Sequence, residues 1–276
     1  MAMNSNKKLL KTIVIFTLLM AIISLGYMLV SDHFAQKNQM HIDLDTLKLV
    51  QLQKPENGDT IAVIDTSIGQ IKAVLYPQYS PNAVKNFIDL ANSGYYNNTY
   101  VFHSENGIYC AAGSPNKDGT LPDNYDKSKE LIKRELNQNL WPFKGAICAM
   151  NTTVDKSFWQ SLTGGGTYYV GSRFALLNTI DFTDDIKKQL YDYTGDNTLP
   201  DAFVKNGGIP NFSQQMTVIG QTYEGIDVIE KLSSLKVSDS KDTEKIPVDD
   251  VMIKSVKISK YSEDTTASTT NESAAH

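Results

Sequence analysis

Two short β-rich runs, "TIAVIDT" (60–66) and "GQIKAVLY" (69–76), sit either side of Ser67-Ile68. With Gly69 at the joint they predict an antiparallel hairpin. The period then changes. In "SPNAVKNFIDLANSG", Val84, Phe87, Ile88 and Ala91 fall on one helical face. Ser80 suits the N-cap, Pro81 the first turn and Gly94 the stop. "TYVFHSENGIYCAAGSP" (99–115) predicts a second hairpin turning at Glu105-Asn106-Gly107. "GAICAM", "GTYYVG", "MTVIGQT" and "DVMIKSVKIS" predict four further strands. "EGIDVIEKLSSL" predicts a second helix, with Ile226, Val228, Ile229 and Leu232 apolar. Strands do not alternate regularly with helices, which disfavours a doubly wound α/β sheet. A mainly β fold follows: a closed eight-stranded antiparallel barrel capped by two helices. Between 174 and 210 an insertion carries helical patterns, one with a Thr183 cap and an Ile186/Leu190/Tyr193 stripe, the other in "LPDAFVKNGG".

The ends of the chain read differently. "TIVIFTLLMAIISLGYMLV" (12–30) is uncharged, and 19 residues of helix span about 28 Å, close to a hydrocarbon core. Lys7, Lys8 and Lys11 precede it. Removing those three from the 26 Lys and Arg leaves 23 bases against 31 acids beyond it. That asymmetry predicts residues 1–11 in the cytoplasm and 12–30 as a single-pass signal anchor. "SDHFAQ" offers no small-x-small cleavage site. Residues 31–57 read as a linker, 58–260 as an extracytoplasmic domain at the cell membrane and 261–276 as a disordered Ser/Thr-rich tail. A formal charge of -5 argues against a nucleic-acid partner. Cys110 and Cys148 could pair outside the cytoplasm, but two small core residues are the simpler reading.

"SPNAVKNF", "GYYNNTYVFH", "GAICAMN" and "TVIGQTYEGIDVIEKL" occur here in an order and spacing that resemble cyclophilin-type peptidyl-prolyl isomerases. The resemblance covers about residues 58–259 and implies the eight-stranded cyclophilin barrel. Its implied partners are proline-containing segments of exported proteins, with no cofactor or metal. In the family an arginine directly after Phe-His supplies the key donor. Here the order is Phe102-His103-Ser104, so Ser104 stands at the usual arginine position and no catalytic residue is assigned. The chain's two arginines, Arg134 and Arg173, fall elsewhere.

By the same resemblance the family's glutamine in the opening hairpin becomes Ala111 or Ala112. Its Ser-Gln-Phe-Phe-Ile segment matches "GTYYV", giving Thr167 and Tyr169. The tryptophan region gives Asn211 or Phe212, and a histidine becomes Met216. Asn151 is kept, beside Met150. The implied substrate slot is lined by Phe102, Tyr109, Cys110, Tyr169, Phe212 and Met216. Two readings stay open: an isomerase weakened by the missing arginine, or an inactive module that binds peptides or proteins at the membrane surface.

Other chemistry is less favoured. His103 and Ser104 are adjacent on a strand and should face opposite sides, which opposes a Ser–His pair. "TGGGT" (163–167) lacks the Lys-Ser/Thr of a phosphate loop and precedes a strand. No His, Cys and acid cluster has metal-ligand spacing. Asn97, Asn151, Asn211 and Asn271 head Asn-x-Ser/Thr triplets of a kind that arise often by chance.

Overall fold

The computed structural model describes residues 40, 42–152, 168–213, 215–238 and 245–263. The 12–30 span, the 163–167 glycine run and the tail beyond Glu263 lie outside them. No described helix is long and apolar enough to cross a membrane.

The strands are β1 (Thr60–Thr66), β2 (Gly69–Leu75), β3 (Thr99–Glu105), β4 (Tyr109–Ser114), β5 (Ile132–Lys133), β6 (Ala146–Thr152), β7 (Tyr169–Leu177), β8 (Thr217–Glu224) and β9 (Met252–Lys260). They pair in the order β4-β3-β9-β1-β2-β8-β6-β7, and β7 returns to β4. Eight antiparallel strands thus close into a barrel, with short β5 attached to β7 outside the ring. Closure removes the exposed edges that an open sheet would present.

Alternation along each strand separates two apolar groups. Ala62, Ile64, Ile147, Ala149, Phe174 and Leu176 share the interior with Val84 and Phe87 of helix α1 (Pro81–Asn92) and with Val228 and Ile229 of helix α4 (Ile226–Ser233). Ile61, Cys148, Ala175, Leu177 and Val218 form an outer cluster. Period-2 patterning is what sends neighbouring residues to opposite faces.

The start of α1 departs from its sequence signal. Ser80 donates its hydroxyl to the Val218 carbonyl at 2.8 Å and does not cap the helix. Glu135 does so instead, accepting from Asn82 N at 3.1 Å and Ala83 N at 2.9 Å. A carboxylate there also meets the positive end of the helix dipole. The α1 terminus is thereby joined to a loop distant in sequence.

The expected linker is a correction. Residues 42–53 lie against the barrel domain. Ile42, Leu47 and Leu49 pack on Trp141, Phe143, Leu199 and Phe203. Gln51 is buried and exchanges hydrogen bonds with both backbone groups of Trp141. This strap covers a small second core built with helices α2 (Asp184–Thr194) and α3 (Thr198–Asn206). Thr183 caps α2 as expected, accepting from Ile186 N. Ile186 and Leu190 join that core; the Tyr193 side chain lies outside the described ones. The insertion also begins later than 174, because β7 runs on to Leu177. At the other end Tyr261 packs edge-on to Tyr223 and bonds to Asp59, so the tail begins after it.

Candidate functional site

Pairing of β3 with β4 runs Val101↔Ala112, then His103↔Ala111 and Ser104↔Cys110. Phe102 is the extra residue of a bulge, and bulges re-aim side chains. After it, His103 faces outward and Ser104 faces the interior beside Cys110. The hairpin turn that follows has Asn106 at φ 41° and Gly107 at φ 78°, as a tight turn requires.

A second irregularity lies opposite. β6 and β7 pair at Ala149↔Phe174 and next at Asn151↔Val170. Three residues of β7, Gly171 to Arg173, therefore face the single Met150 on β6. The swelling is wrapped around a buried carboxylate. Glu130 accepts from Ser172 N and Ser172 Oγ, both at 2.7 Å, and from Thr152 Oγ1 at 2.8 Å. A Cβ at Gly171 would lie 2.0 Å from a Glu130 oxygen, so only glycine lets the chain pass so close.

Between these irregularities opens a cavity of about 240 Å³, lined by Phe102, His103, Asp118, Gly119, Thr120, Met150 and Arg173. Phe102 covers Gly119, where a Cβ would meet the ring at 2.5 Å. Thr120 donates to Asp118 from both its hydroxyl and its amide, which holds that carboxyl below the usual range. The Arg173 guanidinium donates from Nη1 to the Gly119 carbonyl at 3.0 Å and lies 3.7 Å from Glu130. Its side chain remains 25% exposed.

The residues expected at the site divide sharply. Phe102 and Met150 line the cavity. Tyr109 meets Phe212 edge-on at 5.4 Å and His103 face-on at 5.3 Å, which makes an aromatic row on the outer wall. Met216 joins that wall. Ala111 faces outward but is fully buried, and Cys110 and Ala112 point into the barrel. Asn151 is exposed and donates to the Gln215 carbonyl at 2.8 Å. Tyr169 sits at the far end of β7, opposite Thr152 and Lys133. Thr167 lies outside the described residues.

Ser104 is the chief correction. It is fully buried, and its hydroxyl accepts from Leu235 N at 3.1 Å. The position after Phe-His does not reach the outer wall. His103 is structural: its Nδ1 accepts from Lys245 N at 3.3 Å, and Nε2 lies 3.3 Å from Glu105. No Ser–His pair exists there.

Arg173, Asp118, Gly119 and Thr120 were missed, and Arg173 had a signal. Phe174 is the ring that packs inside against Phe87 and Tyr96, opposite Ala149 and Ala112. Ser172-Arg173-Phe174-Ala175-Leu176 also resembles the family's Ser-Gln-Phe-Phe-Ile, six residues beyond "GTYYV". Arginine stands in the glutamine's place and alanine in that of the pocket phenylalanine.

The cysteines are unpaired. Cys110 points inward and Cys148 outward. Burial pushes the Cys110 thiol up from 9.0 to about 12 and raises Cys148 as well. The folded chain keeps a proton that the unfolded chain releases. Stability present below pH 9 therefore declines as pH rises toward 12. At pH 8 the native protein should resist iodoacetamide at both thiols, and unfolding should expose both; intact mass reads the outcome.

Sequence comparison agrees with this architecture. The family model described as cyclophilin type peptidyl-prolyl cis-trans isomerase/CLD matches residues 61–165. A Staphylococcus saprophyticus protein assigned to the peptidyl-prolyl cis-trans isomerases is 26% identical over 209 residues, covering 75% of this chain and 96% of its own. A Staphylococcus aureus counterpart shows the same identity and coverage. A solved cyclophilin-type isomerase of Cryptosporidium parvum aligns at 20% identity and TM-score 0.49, over 73% of this chain and 99% of its own. The matched range runs from β1 through the bulged hairpin to β6, all of them parts of the closed ring. Over residues 61–165 the chain matches the cyclophilin-type peptidyl-prolyl cis-trans isomerase family.

Proposed function

We propose that this protein isomerises prolyl bonds in segments of exported proteins while the 12–30 span anchors it, with the barrel outside the cytoplasm. Turnover is set below that of members with arginine after Phe-His. The observation that carries this reading is the outer-wall cavity between the β3 bulge and the β7 swelling, with Phe102 and Met150 as its apolar walls.

Resonance in the amide raises a rotation barrier of about 18–20 kcal/mol. Before proline, the uncatalysed step takes roughly tens to hundreds of seconds. Lowering that barrier needs no nucleophile. It needs a site that grips the proline ring and favours the twisted amide over the planar one. Phe102 and Met150 offer apolar surface for the ring. The exposed outer wall leaves room for the chain on either side of it.

Exchange spectroscopy on an Ala-Pro peptide with the full-length chain in detergent tests this. Cis–trans exchange should exceed that of the peptide alone and scale with protein concentration. Binding without faster exchange would overturn catalysis and leave the peptide-binding module. For the anchor, alkaline carbonate should leave the protein in the membrane pellet; release into the supernatant would refute it.

A further inference from the structure

Strand β3 carries no arginine or lysine, yet the cavity it walls contains an arginine. We infer that the Arg173 guanidinium, projected from β7, is the catalytic donor of this protein and takes the role that the residue after Phe-His cannot fill. This rests on the isomerase reading above.

Geometry carries the inference. Ser104 points into the barrel and is fully buried. Arg173 lies on the outer wall and lines the cavity with Phe102 and Met150. It is there because Gly171 to Arg173 bow out around Glu130. The head group is held rather than loose: Nη1 donates to the Gly119 carbonyl at 3.0 Å, and Nη2 lies 3.7 Å from Glu130. A guanidinium carries five N–H donors in a fixed fork. Its Nε–H is buried and has no acceptor among the described residues. That nitrogen is enclosed, so the part of the side chain a guest amide can meet is its exposed quarter, and the prolyl nitrogen becomes a better acceptor as the amide twists and loses resonance. A donor fixed beforehand, beside an apolar wall, stabilises that twisted state selectively. No covalent bond forms or breaks, and no proton is transferred.

The test uses the full-length chain and the same exchange assay. Arg173→Gln should lower kcat/KM by roughly 10²–10³-fold, the usual loss for one preorganised donor. Arg173→Lys should keep a minor part of the rate, because it retains the charge without the fork. Arg134→Gln, at the other arginine, which stacks over Tyr168, should match the wild type. Arg173→Gln within threefold of wild type would overturn the inference. Wild-type protein that fails to accelerate exchange would instead overturn the isomerase reading itself.

Arg173 also neighbours the buried Glu130, so its variants could lose the fold. A measurement on the unmodified protein covers that case. With only two arginines, the Nε–Hε spectrum is simple, and Arg134→Gln assigns it. Saturating Ala-Pro peptide should shift the Arg173 signal and leave Arg134 in place. An unshifted Arg173 signal under saturation would contradict the assignment.

Discussion

Ser104→Arg should destabilise the protein without raising its turnover, although it restores the family's Phe-His-Arg order. The new side chain starts from a fully buried position, with Cys110 opposite and the Leu235 amide bound to the hydroxyl. It would put an unpaired cation into the barrel. The expected cost is about 4 kcal/mol or more, a fall in Tm on the order of 10 °C. Thermal unfolding and exchange spectroscopy on the same preparation check both halves. Unchanged Tm with a tenfold gain in rate would mean that the side chain reaches the outer wall after all.

Removal of the strap should have an effect of similar size on stability. Without residues 40–53, the Trp141 amide loses its acceptor, its carbonyl keeps only the Phe143 amide, and Gln221 loses the Gln51 side chain. Each buried polar group left unpaired costs about 1–3 kcal/mol. The apolar cover from Ile42, Leu47 and Leu49 goes as well. We expect a loss of about 4 kcal/mol or more, read as a lower urea midpoint. Gln51→Ala alone should give roughly half of it. A shortened chain that unfolds at the wild-type midpoint would show that the strap is a passive tether.

Much of this architecture was legible in the chain. The two hairpins, the helix at Val84–Ala91 and the helix at Ile226–Leu232 announce themselves by period, and each lies where the pattern put it. Closure was legible too, through strand number and short connections. What escaped were features decided by register and by distant partners. Whether Ser104 faces in or out depends on one extra residue, Phe102, and a one-residue slip in a strand exchanges the faces. The sequence shows that a hairpin exists but not where it bulges.

Arg173 was hidden by the same physics. Gly171 to Arg173 break the alternation that marks a strand, so "GTYYV" resembled the family segment better than "GSRFAL" did. Phe174 is nonetheless the ring that enters the core. Gln51 and Glu135 were silent because their partners are Trp141 and the α1 terminus, both remote in sequence. The expected Tyr169 wall failed because that residue lies at the wrong end of its strand.

The methionines offer the most direct measurement of where a proline peptide sits. Both methionines pack against the outer cluster with Tyr109 and Phe212, but Met150 also lines the cavity beside Phe102 and Arg173, whereas Met216 does not. Methyl spectra of the full-length protein, assigned with Met150→Leu and Met216→Leu, can be followed as Ala-Pro peptide is added. We expect the Met150 methyl to shift to saturation while Met216 stays within a small fraction of that change. A saturating shift at Met216 with Met150 unmoved would put the peptide on the aromatic row and contradict the assignment of the cavity as the site.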